Sequence, residues 1–587
     1  MNGRTSVNAD WNLEVDVVVL GTGGAGLTAA LTAAVGGASV AIYEKADTVG
    51  GTTAVSGGIV WIPAHRRSPD GELTVDDAMR YLEAQSLGAM NTDLVETLVR
   101  TGPEMLDFVE EHSELEFEIA SGFPDYKPEL PGGRPSGGRS LNAKPFDLDR
   151  LGGWSDRITS FPADWSNVGI DAETRARIHA SVDDVAGNLC VAGTALVAGL
   201  LKGLLDLGVE PVTGARAVEL IGSGGQERSD SGRFSGGQER SDSGRFSGGQ
   251  ERSDSGRFSG GQERSDSGRF SGERIDGVRI SLDGMTIRVR ARRGVVLGTG
   301  GFEWDPALVE AHLRGPMHGP VSPPNNTGDG LRMAMAHGAD LANMTEAWWV
   351  PIVQIPGDTI DGHKRSRSVR LERTRPRSII VNRAGRRFLN EAGEYNSMAG
   401  PFHHLDPRFG YLNDPAWIVF DALHLKKYGF LGVEPDGEVP GWYCKSSDLV
   451  ELGQKTGIDP QGLTRTIDAW NRCVEDESDP EFGRGASAYD GYWGDNTAAS
   501  PALQTLGPID TAPYFAVPVT VGAMGTKGGP RTDGDGRVMH VDGHPIHGLY
   551  AAGNAMAGVT GKAYGGAGGT LGPAMVFGYR VGRALTI

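Results

Sequence analysis

The hydrophobic pattern at the start of the chain predicts a strand, a helix and a second strand in close succession. Val15 to Leu20 form an almost continuous apolar run, which is typical of a buried strand. An Ala- and Leu-rich stretch follows and predicts a helix. A second strand is predicted from Ser39 to Tyr43, and it ends at Glu44. The order strand, helix, strand indicates an α/β fold with a parallel sheet.

Two apolar segments much later in the chain have the same character. "GVVLGTGGF" covers residues 294–302, and "GLYAAGNAMAG" covers 548–558. Between them, from residue 353 to 522, Trp, Tyr, Phe and Pro become frequent. We therefore predict one domain formed by residues 1–352 and 523–587, with a second domain, residues 353–522, inserted into it. Binding sites commonly form where two such domains meet.

A repeat of 12 residues interrupts the first domain. The motif "SGGQERSDSGRF" occurs four times, at residues 223–234, 235–246, 247–258 and 259–270. Each copy is electrically neutral, and its only large apolar residue is one Phe. Such a segment buries too little apolar surface to offset the entropy of ordering it. We predict a surface loop between two paired strands; a segment that binds a partner is the alternative.

Composition and charge exclude several classes of function. The chain has 587 residues and a formal net charge of -19, which argues against nucleic acid as a partner. Its three cysteines, Cys190, Cys444 and Cys473, lack the spacing of a metal site and fit a reducing compartment. We see no signal peptide and no apolar run that could span a membrane. We expect no metal, and a cytoplasmic or membrane-peripheral location.

A glycine motif lies between the first predicted strand and the helix. Gly21, Gly23 and Gly26 have the spacing G-x-G-x-x-G, which brings backbone amides to a pyrophosphate, and Glu44 can bind the ribose hydroxyls. The glycine- and hydroxyl-rich loop after Glu44 can lie along an extended dinucleotide, which favours FAD over NAD. The FAD contacts predicted from this motif and loop are Gly21, Gly23, Gly24, Ala25, Gly26, Glu44, Lys45, Gly51, Thr52, Thr53, Ser56, Gly57 and Gly58. Gly572 and Pro573 begin the last predicted helix, whose free amides can face the flavin. The segments of Gly300 and Asn554 resemble the two later FAD-contact strands of the glutathione-reductase-like flavoproteins, which implies that these two residues are contacts as well.

Three segments resemble the fumarate reductase/3-ketosteroid dehydrogenase family of FAD enzymes. They are "GTGGAGLTAALTA" with the loop "GGTTAVSGG", then "RRFLNEAGEYNSM", then the stretch from "MGTKGGPRTDGDGRV" to "GLYAAGNAMAGVTGKAYGGAGGTLGPAMVFGY". The resemblance covers nearly the whole chain apart from the repeat. It implies a glutathione-reductase-like Rossmann FAD-binding domain with an inserted α+β substrate domain. The residues before His65 lack the pattern of the covalently flavinylated members, so we expect FAD to be bound non-covalently.

The second and third segments indicate the branch of this family. In its fumarate and succinate enzymes, cationic side chains near the positions of Tyr395, Thr560 and Tyr564 bind a dicarboxylate. Here those positions are uncharged. A phenol hydroxyl suits a neutral carbonyl instead, to which it donates a hydrogen bond. The pattern is similar to that of the 3-ketosteroid Δ1-dehydrogenases.

That branch implies a role for each of four residues. Tyr564 and the backbone amide of Gly568 hold the C3 carbonyl of a ketosteroid. Tyr395 removes a proton from C2, and Tyr126, in "GFPDY", supports Tyr395 through a hydrogen bond. A hydride then passes from C1 to flavin N5, which leaves a C1–C2 double bond. The tail of the branch more often reads Tyr-Pro-Gly or Tyr-Ala-Gly, whereas Tyr564 is followed here by two glycines, so the exact steroid stays open.

The same chemistry follows from the residues alone. A C–H bond beside a carbonyl becomes acidic when donors stabilise the enolate oxygen. A tyrosine, with a reference pKa of about 10, is a poor base at neutral pH unless its surroundings lower that pKa. A second phenol hydrogen-bonded to it would favour the phenolate. A buried tyrosine that only anchors packing is the alternative for each position.

Three other functions stay open at this point. One is a 3-oxo-5α-steroid 4-dehydrogenase that uses the same groups on neighbouring carbons. The second is a flavin-dependent reductase of an unsaturated carbonyl compound. The third is an inactive flavin-binding protein whose repeat is the working part. The expected partners are a 3-ketosteroid substrate and an external electron acceptor such as a quinone.

Overall fold

The computed structural model describes residues 11–68, 70–159, 188–223 and 274–587. Most of the repeat falls outside these residues, so its assignment as a loop stays a prediction. The strands of the described residues are β1 (Leu13–Leu20), β2 (Val40–Tyr43), β3 (Ile59–Trp61), β4 (Phe117–Ser121), β5 (Gly137–Ala143), β6 (Phe146–Asp147), β7 (Leu189–Cys190), β8 (Ala215–Gly222), β9 (Ile275–Leu282), β10 (Met285–Leu297), β11 (Leu341–Ala342), β12 (Ala347–Val353), β13 (Thr359–Ile360), β14 (His363–Lys364), β15 (Arg367–Ser368), β16 (Ser378–Asn382), β17 (Leu405–Asp406), β18 (Gly410–Tyr411), β19 (Ala416–Asp421), β20 (Cys444–Ser446), β21 (Tyr514–Thr526), β22 (Gly529–Pro530), β23 (Arg537–Met539) and β24 (Pro545–Ala551).

Helices connect these strands and cover their faces. The α-helices of the described residues are Gly24–Val35, Gly51–Ala54, Val75–Ser86, Thr92–His112, Ala192–Asp206, Pro306–His312, Asp329–Ala336, Ala399–Phe402, Ala422–Tyr428, Leu449–Thr456, Pro460–Glu475, Ala488–Tyr492 and Leu571–Ala584. The shorter 3-10 segments are Leu148–Arg157, Ala502–Gln504 and Gly553–Ala555. None of the helices in the described part of the chain combines the length and the apolar character that crossing a bilayer requires.

One sheet contains strands from both ends of the chain. Its order is β2–β1–β10–β24–β23, and β9 and β8 continue it from β10. β1 pairs in parallel with β2 and with β10, and β10 pairs in parallel with β24. The residues from Val17 to Val19 are fully buried, as a parallel sheet covered on both faces requires. The predicted strand–helix–strand unit is present as β1, the helix Gly24–Val35 and β2.

The first long helix packs against the last one. Small residues at the contact allow the backbones to approach closely: a Cβ on Gly578 would lie only 2.4 Å from the carbonyl oxygen of Ala25. Gly553, which follows β24, touches the first turn of both helices, since a Cβ there would lie 2.9 Å from Ala25 and 3.5 Å from Ala574. The N-termini of the two helices therefore meet at the carboxyl end of β24.

A second sheet is antiparallel and lies in the later part of the chain. Its order is β15–β12–β21–β19–β16, with β20 also on β21. One face packs on an aromatic core that includes the three predicted catalytic tyrosines. The other face is covered by the helices Leu449–Thr456 and Pro460–Glu475. The predicted domain boundaries at 352 and 523 fall within β12 and β21, and the division into two domains stays a prediction.

A small third sheet connects these two parts. It has the order β3–β5–β4 and is antiparallel. The amide of Trp61 at the end of β3 donates to the carbonyl oxygen of Gly568 at 3.2 Å. This contact places the small sheet against the glycine-rich tail, next to the predicted catalytic residues.

Candidate active site

The turn between β1 and the first helix has the form that a dinucleotide needs. Gly21 has a φ of +102°, and a Cβ on Gly26 would lie 2.0 Å from the carbonyl oxygen of Gly21, so both positions require glycine. At Gly23 and Gly24 the nearest protein atom to an added Cβ is 3.5 Å away, which leaves space over the helix N-terminus. Backbone amides at such a terminus bind phosphate groups.

Glu44 closes this turn from the end of β2. Its Oε2 accepts hydrogen bonds from the amide and the hydroxyl of Thr22, at 3.0 and 2.7 Å. Its Oε1 accepts from the amide of Ala46 at 2.9 Å. A carboxylate has about four acceptor positions, so Oε1 keeps capacity for a ribose hydroxyl.

The loop of residues 51–58 folds over the same helix end. The hydroxyl of Thr53 accepts from the amide of Gly24 at 2.9 Å, and the hydroxyl of Thr52 accepts from the side chain of Asn326 at 2.8 Å. Ser56 donates to the carbonyl oxygen of Thr53 at 2.7 Å. The loop is thus fixed beside the predicted pyrophosphate position by its own hydroxyl groups.

Two side chains considered as FAD contacts already have partners within the protein. Lys45, a predicted FAD contact, donates to Thr327 and Asp329 at 2.8 and 3.0 Å. His65 bonds through Nε2 to the carbonyl oxygen of Gly138 at 2.9 Å, and its Nδ1 accepts from a backbone amide. Burial lowers the pKa of His65 to about 4. The ring therefore offers no unused nitrogen for a covalent bond to a flavin.

A pocket opens where the N-termini of the first and last helices meet. It encloses about 330 Å³, open solvent at its mouth included. Its lining includes Trp348, Lys527, Asn554, Thr570 and Pro573. The indole nitrogen of Trp348 donates to the side-chain oxygen of Asn554 at 3.0 Å. Of the predicted FAD contacts, Asn554 and Pro573 lie in this pocket.

These features fit FAD. The amides at the start of the first helix and Glu44 would hold its diphosphate and ribose, and the pocket would hold its ring system. Two predicted contacts also have a packing reason for being glycine. A Cβ on Gly300 would lie 2.4 Å from Asn326, and one on Gly572 would lie 2.1 Å from the carbonyl oxygen of Trp61.

The predicted catalytic tyrosines come together although they are far apart in sequence. The hydroxyls of Tyr126 and Tyr395 are 2.7 Å apart, and Tyr395 donates to the hydroxyl of Tyr564 at 3.3 Å. Tyr564 in turn lies 3.2 Å from the hydroxyl of Thr570. We call these four residues the hydroxyl chain. Each of its tyrosines is at most 6% exposed.

The hydroxyl chain reaches the pocket lined by Trp348, Lys527, Asn554, Thr570 and Pro573, which we call the cofactor pocket. Thr570 lines that pocket, and so does Trp348, whose ring centroid lies 4.6 Å from that of Tyr564. Tyr489 encloses the chain from another side, with its ring centroid 5.1 Å from that of Tyr126. A substrate between the tyrosines and the pocket would therefore meet hydroxyl groups in aromatic surroundings.

The tail that carries Tyr564 is held against the small sheet. The carbonyl oxygen of Gly565 accepts hydrogen bonds from the hydroxyl of Tyr81 at 2.7 Å and from the amide of Tyr126 at 3.0 Å. A Cβ on Gly565 would lie 2.5 Å from the ring of Trp61. The unusual glycine after Tyr564 is thus packed against an indole, and it does not loosen the tail.

Gly568 presents a backbone donor near the hydroxyl chain. Its carbonyl oxygen is bound by the amides of Trp61 at 3.2 Å and Gly572 at 2.8 Å, which fixes the orientation of the residue. No acceptor for its own amide is present in the described part of the chain. That amide is available to a ligand oxygen, and its role in holding a carbonyl stays a prediction.

The segment that carries Tyr395 is held by buried charges. Glu394 accepts from the amides of Asn396 and Ser397 at 2.8 and 3.0 Å. Arg373, which is buried, donates to the carbonyl oxygen of Gly393 at 2.8 Å. These bonds fix the backbone on both sides of Tyr395.

A cluster of buried ion pairs lies next to this segment and helps to hold it. Arg387 pairs with Glu391 at 2.7 Å and with Asp479 at 2.8 Å, and Arg484 pairs with Glu391 at 3.2 Å. Removing one member would leave a buried charge without its partner, which costs more than the pair contributes.

Burial dominates the ionisation of the tyrosines. It raises the pKa of Tyr395 well above the ordinary value, and the neighbouring Tyr564 raises that pKa further. The hydrogen bond with Tyr126 lowers the pKa of Tyr395, as expected, but it offsets only part of the rise that burial causes. The pKa values of Tyr126 and Tyr564 are raised by burial as well. The three phenols are therefore protonated at neutral pH.

Several residues of the site were not predicted. Trp348, Thr570, Tyr489 and Trp61 line or support it, and Lys527 is buried beside Trp348 with its Nζ 4.1 Å from the ring centroid. The signal for Lys527 was a lone basic residue within "GTKGG", and for Thr570 a hydroxyl residue at the start of the last helix. The aromatic residues gave no such signal, since nothing in the sequence pairs them with the tail.

One possible metal-binding group lies on the turn between β23 and β24. His540, Asp542 and His544 offer ligand atoms within 4.8 Å of one another. The spacing H-x-D-x-H was its signal in the sequence. The prediction of no metal took no account of this group.

Comparison with known proteins identifies similar enzymes. The pattern of the FAD binding domain family matches residues 16–571. A 4-oxocyclohexanecarboxylate 2-dehydrogenase of Sinomonas cyclohexanicum is 38% identical, over 97% of this chain and 92% of its own length. A 3-oxosteroid 1-dehydrogenase of Mycolicibacterium smegmatis is 36% identical, over 96% of each chain. The crystal structure of a 3-ketosteroid Δ1-dehydrogenase from Sterolibacterium denitrificans, in complex with 1,4-androstadiene-3,17-dione, matches with a TM-score of 0.82 and 30% identity, over 98% of this chain and 99% of that one.

Proposed function

The chain belongs to the FAD binding domain family, and we propose that it is an FAD-dependent 3-ketosteroid Δ1-dehydrogenase. The observation that carries this proposal is the hydroxyl chain from Tyr126 through Tyr395 and Tyr564 to Thr570, which lines the cofactor pocket. Uncharged donors of this kind suit a ketone rather than a dicarboxylate.

The first step is binding of the C3 carbonyl. The hydroxyl of Tyr564 and the amide of Gly568 donate hydrogen bonds to its oxygen. As a proton leaves C2, negative charge moves to this oxygen, and both bonds strengthen. The bonds of Gly568 to Trp61 and Gly572 hold its amide in place before the substrate arrives.

Tyr395 is the base that takes the C2 proton. Its raised pKa makes the phenolate rare at neutral pH, but each phenolate that forms is a strong base. Tyr126 donates a hydrogen bond to the Tyr395 oxygen and so favours the phenolate. The aromatic residues around the chain exclude water from the oxygen that accepts the proton.

FAD, when bound, supplies the acceptor for the hydride that leaves C1. The proposal includes an external electron acceptor such as a quinone, and a cytoplasmic or membrane-peripheral location. The three free cysteines support a reducing compartment.

The test is anaerobic mixing with two steroids. Androst-4-ene-3,17-dione should bleach the flavin absorbance and give the 1,4-diene. A 5α-saturated 3-ketosteroid should give the 1-ene. If the saturated steroid gives the 4-ene and androst-4-ene-3,17-dione does not react, the enzyme is the 4-dehydrogenase instead.

A second candidate substrate is a small cyclic keto acid such as 4-oxocyclohexanecarboxylate. The similar Sinomonas enzyme supports it, and so does Arg370. This arginine is exposed. Burial raises the pKa values of Tyr564 and Tyr489, and the charge of Arg370 is close enough to oppose part of that rise. Within the described ranges its side chain has no ion pair. A carboxylate opposite the ketone on a six-membered ring could pair with it.

The two substrate classes differ in their need for Arg370. If the keto acid is the substrate, Arg370→Met should raise its KM by about tenfold to a hundredfold, the worth of a hydrogen bond to a charged group. The ethyl ester of the keto acid should then be a poor substrate for both forms. If the steroid is the substrate, the same substitution should leave its KM within about twofold.

A further inference from the structure

Lys527 is a buried lysine between the cofactor pocket and the segment that carries Tyr564. Its side chain lines the pocket and is 1% exposed. Its backbone is fixed at both polar groups: its amide donates to the backbone carbonyl oxygen of Glu346 at 2.9 Å, and its carbonyl oxygen accepts from the amide of Gly558 at 2.8 Å. The ammonium group therefore extends from a rigid position at the end of β21.

The ammonium group binds three consecutive carbonyl oxygens. Its Nζ donates to Gly561 at 3.2 Å, to Lys562 at 3.4 Å and to Ala563 at 3.0 Å. It forms no ion pair with any carboxylate of the described residues. The face of the Trp348 ring closes the remaining side, with Nζ 4.1 Å from the ring centroid. A cation over an aromatic face is stabilised by the ring quadrupole.

These three carbonyls directly precede Tyr564. The tail after Tyr564 is held by Trp61, Tyr81 and Tyr126, which bind the backbone of Gly565 and Gly568. Lys527 holds the tail from the opposite side of the tyrosine. The position of the Tyr564 hydroxyl thus depends on anchors both before and after it in the chain.

We propose that Lys527 is a positioning residue for carbonyl binding: its ammonium group, through the carbonyls of residues 561–563, fixes the backbone that presents the Tyr564 hydroxyl and the Gly568 amide to the substrate oxygen. The inference rests on the proposed function, because it concerns the donors that this function assigns to the ketone.

The anchor depends on the charge of Lys527. An ammonium group has three N–H donors for the three carbonyls, whereas a neutral amine has two. Burial lowers the pKa of Lys527 to about 7. Glu346 and Glu394 oppose this shift, and Arg314 and Lys127 add to it. The ring of Tyr564 also faces the ammonium group, with its centroid 5.8 Å from Nζ. Since the lowered pKa lies near neutrality, the anchor weakens as the pH rises through it.

One experiment measures the anchor without turnover. Hydrogen–deuterium exchange would be followed in the FAD-loaded protein for peptides covering residues 558–570. Lys527→Met should make these peptides exchange at least about fivefold faster, because the local opening free energy falls. The control is Lys562→Met, which removes an exposed positive charge from the same segment and should leave exchange within about twofold. Equal exchange in the wild type and Lys527→Met would overturn the proposal.

A second measurement separates positioning from a purely structural role. Estrone carries a phenol oxygen where a ketosteroid carries its C3 carbonyl, and its affinity for the FAD-loaded protein can be measured by equilibrium dialysis at pH 6 and pH 8.5. Wild-type affinity should fall about fivefold to tenfold at the higher pH, because deprotonation removes one of the three donors. Lys527→Arg keeps its charge and should lose this pH dependence. Lys527→Met should bind weakly at both pH values.

The outcomes distinguish this inference from the proposed function. If the wild type and Lys527→Arg show the same pH dependence, Lys527 does not act through its charge and the proposal is wrong. A wild-type affinity that stays constant between pH 6 and pH 8.5 would also overturn the proposal, and this measurement needs no substitution, so it applies even if Lys527→Met folds poorly. If the wild type dehydrogenates no ketosteroid, the proposed function fails, and the exchange experiment still tests the anchor.

Discussion

The cofactor turn and the hydroxyl chain are built in opposite ways. The turn from Gly21 to Glu44 is contiguous in sequence, lies on a parallel aliphatic sheet and works through backbone amides and one carboxylate. The hydroxyl chain takes residues from positions 126, 395, 564 and 570, lies against the antiparallel sheet and works through side-chain hydroxyls. A local motif can be recognised from spacing alone, whereas the second site exists only after distant loops have been fixed.

The difference predicts different sensitivities. In the turn, a substitution should be tolerated when the backbone has space for its Cβ atom. The identity of most neighbouring side chains should matter little for FAD binding. In the hydroxyl chain, the loss of one oxygen removes a function while the packing stays nearly the same. Substitutions that separate cofactor binding from rate therefore test whether the two regions are independent.

The largest expected effect on rate is that of Tyr395→Phe. The substitution keeps the ring and removes the base, so kcat should fall about a hundredfold to ten-thousandfold. FAD content should not change, since Tyr395 lies outside the cofactor turn. The Tyr126 hydroxyl loses a partner, which costs about 1–3 kcal/mol of stability. Stopped-flow measurement of flavin absorbance and a thermal melt check both parts.

Tyr443→Phe is the matched control for this prediction. Its hydroxyl is buried in the same aromatic core and donates to the carbonyl oxygen of Phe430 at 2.5 Å, outside the hydroxyl chain. The control should lose a similar amount of stability and keep its kcat. A Tyr395→Phe enzyme with the kcat of the control would show that Tyr395 only packs.

Gly26→Ala should affect the other region. The added Cβ would lie 2.0 Å from the carbonyl oxygen of Gly21, so the turn must shift. Overpacking of this kind costs about 1–3 kcal/mol, which corresponds to a loss of FAD affinity of about fivefold to more than a hundredfold. Equilibrium dialysis of the flavin measures it. Gly153→Ala, where nothing lies within 4 Å of the added Cβ, should keep wild-type affinity.

Much of the fold was predictable because its signals are local. The strand, helix and second strand at the start of the chain follow from an apolar run, an Ala-rich stretch and glycines at set spacings, and β10 and β24 follow from similar runs. The three tyrosines were found through the resemblance to a family, since a tyrosine alone predicts packing as readily as catalysis. Their contact in the structure depends on pairings between residues hundreds of positions apart.

The supports of the site could not be predicted. Arg387 and Glu391 lie in a segment that carries the family resemblance, but nothing in the sequence pairs them with Arg484, and only the fold places the three together beside Tyr395. The indole of Trp61 explains the glycine after Tyr564, but the two are five hundred positions apart in the chain. The direction of the net pKa shift of Tyr395 also escaped prediction, because a hydrogen bond was visible as a possibility and the extent of burial was not.

A smaller loss is expected for Tyr126→Phe. Its hydrogen bond lowers the pKa of Tyr395, so removing it raises that pKa and makes the phenolate rarer. A hydrogen bond to a charged group is worth about 1.5–3 kcal/mol, so kcat should fall about tenfold to a hundredfold. The pKa of Tyr395 is raised above its ordinary value in both forms, so the ratio of the two rates should stay constant from roughly pH 6 to 9. A ratio that returns to one within that range would contradict this role for Tyr126.

Replacing the repeat alters more residues than any other variant here, and we expect it to have the smallest effect on kcat and FAD affinity. The strands β8 and β9 are antiparallel partners up to the end of the described segment: Gly222 pairs with Ile275, and the amide of Ser223 donates to Arg274 at 2.8 Å. The two ends are close enough for a two-residue turn, so residues 224–273 can be replaced by Asn-Gly, which favours a tight hairpin. A connection of about 50 residues costs about 3 kcal/mol more to close than one of two residues. Because the repeat is polar and neutral, the melting temperature should not fall, and it should rise by no more than about 3 °C. Both kcat and FAD affinity should stay within about twofold of the wild type, because the cofactor turn and the hydroxyl chain are built from other residues.

A thermal melt measures the stability of this variant, and a steady-state assay measures its kcat. A large loss in either would assign a contact to the repeat and would mean that the cofactor region, too, depends on residues that are distant in sequence.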